Sequence, residues 1–479
     1  MPLLSGYMSG YLLFLAALCL ICVVVVIRSR SKDKVLVTKD FKKFQRGYLI
    51  VYFIAMMSDW LQGPYVYALY AHYKFSRGEI AFLFIVGFGS SMVFGTFIGS
   101  LADRYGRRLN CLAFGILYGL SCITKHFNNY SILLVGRLLG GVATSILFSA
   151  FEAWMVSEHK QAAFPDDWLA HTFSAMTFGN GIVAIGAGVV ASFAAANFGV
   201  VAPFDLSLIC LIVGTAIIYS TWKENYGDKN SAPALNLKQG IAVIQQNPKV
   251  ALLGLIQSCF ESSMYLFVFM WTPALEAIIP SGEVLPHGLV FACFMVSMMI
   301  GSNLFKSLLK FGPPESILRY AFAIAVLCLL IPAVTDNENF IMVSFCVFEA
   351  ICGIYFPGMG VMRSQHLPEE TRATIMNLFR IGLNLIVVVV LQQIDTMENT
   401  TVFMLCAMLL GTAAVCQQYL FQATTGTKAQ QAEAVADLQG QELLPCDSLD
   451  EETDKKDIEA GNSEAAKLVQ EEKRTGKDQ

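Results

Sequence analysis

Gly99-Ser100-Leu101-Ala102-Asp103-Arg104-Tyr105-Gly106-Arg107-Arg108 closes one long apolar run and opens the next. Each residue type has a physical use at such a junction. Gly99 lets a second helix approach closely. Asp103 can cap the following helix or pair with a cationic side chain. Gly106 permits a tight turn, and the arginines hold the loop at an anionic membrane surface. A plain basic loop between two spans would need the arginines but neither the acid nor the glycines.

The rest of the chain agrees with a junction between two membrane-crossing helices. Of its 479 residues, 55% are hydrophobic and 15% charged, against roughly 25% charged in a soluble domain. Many apolar runs of ~20 residues each match a hydrocarbon layer ~30 Å thick, which predicts an all-α membrane protein. The 13 cysteines sit mostly inside apolar runs, with no CxxC or CxxH spacing. Neither a disulfide framework nor a metal site is expected. No nucleotide-binding loop or nucleophile motif appears, so we expect no enzyme chemistry, no cofactor and no nucleic-acid partner.

The first run, Leu3 to Ile27, is followed by Arg28, Arg30, Lys32, Lys34, Lys39, Lys42, Lys43 and Arg46. Positive charge trails the apolar core, the reverse of a signal peptide. This predicts an uncleaved helix with its basic flank in the cytosol. Twelve further runs follow, ending near residue 421, and alternate loops are basic: Arg104, Arg107 and Arg108, then Lys160, then Lys223 to Lys249, then Lys306 and Lys310, then Arg363 and Arg372. The expected organisation is an extra helix with its basic loop (1–46), a six-helix bundle (47–222), a cytosolic loop (223–248), a second six-helix bundle (249–421) and a cytosolic tail (422–479). The tail is too polar to fold alone and is expected to be disordered. With no retrieval signal in evidence, the plasma membrane is the default location.

Inside the run from 47 to 71 lies Ser58-Asp59-Trp60-Leu61-Gln62-Gly63-Pro64-Tyr65. A charge at that depth costs about 2.5–3.5 kcal/mol on insertion scales. Pro64 deprives the Trp60 carbonyl of its helical partner, so the stretch reads as one wall of a wet pathway. An offset of about 202 residues places Asp59 on Glu261 and Gly99-Ser100 on Gly301-Ser302. That is the internal repeat a transporter would show. Pro273 is expected to break the Glu261 helix as Pro64 breaks the first.

Residue by residue, the 99–108 stretch resembles the cytoplasmic signature of the major facilitator superfamily. Asp59 to Tyr67, Gly136-Arg137-Leu138-Leu139-Gly140-Gly141 running into Phe148 to Trp154, and Glu261 with Trp271-Thr272-Pro273 resemble the molybdate-anion transporter family over residues ~45–420. The resemblance implies two six-helix bundles rocking around a midplane site and import of molybdate. The counterpart after the eighth run, Gly301 to Lys310, keeps the glycine and two bases but lacks the acid and the turn glycine. An asymmetric gate is therefore expected.

Asp59 and Glu261 read as coupling or gating groups, because a carboxylate in a low-dielectric site can load and release a proton. The alternative is a structural acid paired with a buried arginine. Arg380 and Arg137 offer guanidinium forks suited to a tetrahedral dianion. Arg137 also matches a second superfamily signature, in which it can serve coupling or packing. Glu349 is deep enough for gating, Asp103 and Arg107 belong to the signature gate, and Glu152 reads as interfacial. Asn180, Asn377, Asn384 and Tyr65 either line the path or make ordinary interhelical bonds. Substrate partners are molybdate or a similar oxyanion and protons, in a lipid bilayer. Transport of sulfate or an organic solute, or a non-transporting sensor signalling through its tail, stays open.

Overall fold

The computed structural model describes residues 6–29, 37–227, 237–280, 282–368 and 372–441. In chain order the helices are α1 (Gly6–Ser29), α2 (Lys39–Gln62), α3 (Val66–His72), α4 (Arg77–Tyr105), α5 (Arg107–Thr124), α6 (Tyr130–Leu147), α7 (Ala150–Gln161), α8 (Asp166–Phe198) and α9 (Ala202–Thr221). They continue with α10 (Leu237–Gln246), α11 (Pro248–Glu276), α12 (His287–Leu308), α13 (Pro314–Val334), α14 (Glu338–His366), α15 (Arg372–Gln392) and α16 (Asn399–Gln441). With α2/α3 and α6/α7 each taken as one broken span, α2 to α9 supply six spans and α11 to α16 six more. α1 is the extra helix.

Ten helices are long and apolar enough to cross a membrane by length and composition. α2, α5 and α15 fall outside that set for visible reasons: α2 opens on Lys39, Asp40, Lys42, Lys43 and Arg46, α5 on Arg107 and Arg108, and Arg380 and Asn384 interrupt α15. The expected break at Pro64 is present, as a 3-10 turn over Gly63–Tyr65. Pro273 does not break its helix. It lies inside an unbroken α11, in the last turn. Conversely the fourth span divides at Phe148–Ser149. There Thr144 donates to the Gly140 carbonyl (2.9 Å), Ser145 to Gly141 (3.1 Å) and Ser149 to Ser145 (2.7 Å). Such back-bonding competes with the ladder and bends a helix.

Within the first set α2 packs on α8 and α9, and α5 and α4 pack on α6; within the second, α14 packs on α12 and α13, and α15 on α11. The two sets meet along α8–α12 and α4–α15. On the first seam a Cβ on Gly188 would press on the Gly288 carbonyl 2.6 Å away, and one on Gly288 would clash in return. α1 lies against α12. Tyr7 and Tyr11 hold one end by donating to Glu338 Oε1 (2.5 and 2.6 Å), and Ser29 holds the other by bonding Asn303 (3.2 Å). Gly301 lets α12 touch the backbone of α14, since a Cβ there would enter the Ala350 carbonyl. Gly301→Leu is therefore expected to cost about 3 kcal/mol, read as a lowered thermal midpoint of the detergent-solubilised protein.

The signature loop is built as its residue types suggest. Gly106 turns the chain at φ 116°, a conformation that favours glycine. Glu224, from the stretch after α9, accepts from the Arg108 and Leu109 amides (2.8 and 3.1 Å), satisfying the N-terminus of α5. Asp103 pairs with Arg107 at 2.7 Å, and Trp222 stacks on Trp154 with ring centres 3.7 Å apart. This end of the molecule is called the basic end below. Residues 424–479 form a second unit. α16 runs into it as far as Gln441, past the expected end of the span, and the expected disorder of 442–479 lies outside the described residues. So does the middle of the expected 223–248 loop, residues 228–236.

Candidate transport path

α11 carries Gln257, Glu261, Tyr265 and Phe269 at four-residue spacing, which puts them on one stripe. Antiparallel to it, α4 presents Phe84 and Phe88. Phe269 meets Phe84 edge-on at 5.3 Å and Tyr67 at 5.2 Å, while Tyr265 stacks flat on Phe88 at 5.0 Å and 10°. Trp60 packs on Phe291 at 5.8 Å and Tyr65 on His287 at 5.5 Å. Each pair joins one half to the other, and together they form an aromatic seal on the side of Tyr265 away from the basic end. At that far end Arg77 donates to the Met397 carbonyl (2.8 Å), and the Asp395 carboxylate lies against Gly78.

One turn closer to the basic end, Glu261 finds its partner in its own half, accepting from Tyr355 of α14 at 3.0 Å. Another turn on, Gln257 accepts from Arg363 at 3.4 Å. A cavity of about 460 Å³ opens at the basic end on the first half, lined by Arg107, Phe148, Ser149, Glu152 and Lys160 among others. The two halves thus meet through aromatic side chains away from the basic end, and the first half carries a cavity at the basic end.

Asp59 is half-buried and accepts from Tyr118 of α5 at 2.6 Å. Its neighbours hold the broken helix: Trp60 donates to Asn180 (2.8 Å), and Gln62 donates to Ser207 (3.0 Å). Arg137 donates its Nε to the Leu83 carbonyl (3.0 Å) and lies 5.0 Å over the Phe84 ring, a cation–π contact. Gly87 makes the room, since a Cβ there would strike the guanidinium. The two terminal nitrogens of Arg137 have no protein hydrogen bond among the described residues. Tyr118 is within electrostatic range of both Asp59 and Arg137.

Arg380 is exposed in the middle of α15. With Asn377 and Asn384 it forms a stripe distinct from the exposed apolar positions Ile381, Leu385 and Val389. Its side chain makes no hydrogen bond or ion pair among the described residues, yet it acts electrostatically on Glu261 and Tyr265. It therefore lies near the stripe of α11 that carries Glu261 and Tyr265.

Some of the expected residues gather in two groups and the others lie apart. Asp59 and Arg137 gather in the first half around Tyr118, with Asn180 on the adjoining Trp60; Glu261 and Arg380 gather in the second. Asn377 is placed on the Arg380 stripe by position alone, its side chain lying outside the described residues, and Asn384 bonds the Arg380 carbonyl of its own helix (2.7 Å). Tyr65 is buried in the α8–α12 seam and Asp103 pairs with Arg107 at the basic end. Glu349 is buried within the second half with Oε2 unpartnered; it lies six residues from Tyr355, about 120° round the helix. Among the described residues neither acid pairs with a buried arginine: each takes a tyrosine. Tyr118 and Tyr355 escaped the sequence reading, Tyr265 read only as the aromatic that ends the Gln257–Tyr265 segment, and Arg363 read as a loop base. For Tyr265, the four-residue spacing through Glu261 to Phe269 was a usable signal.

Known proteins place this arrangement. A family described as sugar transporters with 12 TM matches residues 10–352. A molybdate-anion transporter of Xenopus tropicalis is 36% identical over 396 residues, covering 80% of this chain and 86% of that one. One of Danio rerio is 34% identical over 420 residues, covering 79% and 86%. The chain belongs to the molybdate-anion transporter family. Among solved structures, a mutant of the nucleoside transporter NupG superposes with TM-score 0.66 at 10% identity, over 79% of this chain and 99% of that one. The peptide transporter POT in complex with sulfate gives 0.65 at 15%, over 80% and 94%. At those identities the likeness is of fold alone. This family member therefore has the major facilitator fold with α1 added, and it is a membrane transporter rather than an enzyme.

Proposed function

We propose that this transporter carries molybdate into the cell by alternating access, with the basic end in the cytosol. The observation that carries the reading is Arg380, an exposed guanidinium in mid-span with no protein partner among the described residues and a position near the stripe of α11 that carries Glu261 and Tyr265. Charge at that depth is costly, and a planar fork matches two oxygens of a tetrahedral dianion. The names of the relatives supply the candidate dianion. Arg137, with its terminal nitrogens unbonded, is the second cation, approached from the other half. The plasma membrane and a cytosolic C-terminus complete the proposal. Saturable molybdate uptake by cells lacking their own transporter, on expression of this chain, tests it.

Proton coupling belongs to the same proposal. Asp59 and Glu261 are each bonded by a phenol rather than locked to an arginine, so either can exchange a proton without breaking an ion pair. Asp59→Asn is expected to flatten the dependence of uptake on external pH while the protein still reaches the membrane. Persistence of the wild-type pH profile removes Asp59 from that role. A sugar-like solute is the second reading, favoured by the description of the matched family. Sugar uptake that survives Arg380→Ala selects it.

A further inference from the structure

The Tyr265 hydroxyl is the one polar group on the sealing stripe of α11 whose purpose the packing does not explain. Gln257 and Glu261 have protein partners, and Phe269 is apolar. The Tyr265 phenol is half-buried and bonds to no described residue, although an unmade bond on a desolvated donor carries a real penalty. Its direction is fixed, because the ring lies flat on Phe88 at 5.0 Å and 10°. It sits one helical turn from Glu261 and acts on the same side of α11 as Arg380. It is also the residue of the seal nearest to Glu261 and the basic end. A neutral donor at that place suits an oxyanion better than Glu261 does, since a carboxylate repels a dianion.

We propose that Tyr265 donates its hydroxyl to one oxygen of the transported oxyanion while Arg380 holds others, so that a bound anion rests directly against the Phe88–Tyr265 seal. Its hydroxyl serves recognition and its ring serves closure. The inference rests on the oxyanion reading above and gives a ligand role at the same site to a residue that the sequence reading took only as an aromatic.

The two roles separate by substitution. Tyr265→Phe keeps the stack and removes the hydroxyl, so the KM for molybdate uptake rises about tenfold with the maximal rate and surface level unchanged. Phe88→Ala removes the partner ring and leaves the hydroxyl, so the maximal rate changes and KM stays within about twofold. A second readout is the rise in thermal midpoint that molybdate induces in purified full-length protein, which persists in Phe88→Ala and shrinks in Tyr265→Phe. An unchanged KM and midpoint rise in Tyr265→Phe overturn the inference. So does an equal rise of KM in Phe88→Ala, which would mean that ring packing alone sets affinity. Wild type that neither takes up nor binds molybdate overturns the oxyanion reading and the inference with it. Wild-type uptake with an indifferent Tyr265→Phe overturns the inference alone.

Discussion

Arg380→Ala lowers molybdate uptake at micromolar substrate by about a hundredfold, with the protein still folded and at the membrane. Each charge-assisted hydrogen bond is worth about 1.5–3 kcal/mol, and a guanidinium fork makes two to one oxyanion. At 1.4 kcal/mol per factor of ten, losing both removes about two decades even before the lost charge is counted. Folding is spared because the Arg380 side chain is exposed and bonds no described residue, so the truncation leaves no orphaned partner. Arg380→Lys keeps the charge but not the fork and recovers part of the loss. Arg137→Ala has the smaller effect on affinity, since Arg137 already gives one donor to the Leu83 carbonyl. Concentration curves for the three variants in transport-deficient cells check the order, and wild-type uptake by Arg380→Ala removes that residue from the site.

Joining the sealed end covalently should stop transport almost completely and reversibly. A Cβ on residue 78 would lie 2.8 Å from Asp395 Cγ. Adding one C–C bond of about 1.5 Å, the two Cβ atoms are at most about 4.3 Å apart, inside the range a disulfide spans. Gly78→Cys alone is strained by the Asp395 carboxylate; Gly78→Cys with Asp395→Cys removes that obstacle. Oxidation of the pair holds α4 against the chain that follows α15, the closure that must open for the opposite face to load. Uptake falls at least about tenfold on oxidation and returns with reductant, whereas the single variants and wild type, whose described cysteines are all free thiols, do not respond. A linked chain, verified by mass spectrometry of the joined peptides, that still transports would show that this end does not open.

The limits of sequence reading follow from the reach of each interaction. Pro64 acts within one helical turn, so the break at Gly63–Tyr65 was legible. Pro273 has the same chemistry but sits in the closing turn of α11, where it breaks nothing. The division at Phe148–Ser149 depends on three hydroxyls that bond backward, a choice any serine in an apolar run leaves open. Asp59 and Glu261 stood out as costly charges inside apolar runs. Their partners did not stand out, because Tyr118 and Tyr355 come from helices tens of residues away and look like ordinary span aromatics.

Span number, the signature junction, the extra helix and the placing of an acid inside the first helix of each half all follow from local properties: hydrophobic length, turn chemistry and the cost of a charge in hydrocarbon. These act over a few residues and survive whatever the helices do next. Which helix faces which is a different kind of fact. It rests on Gly188 admitting Gly288, on Gly87 admitting Arg137 and on Phe88 meeting Tyr265, contacts that exist only once the helices have packed. Those contacts leave Arg380 without a protein partner among the described residues and give each acid a tyrosine. They also join the two halves away from the basic end, and no single segment carries the information for any of these.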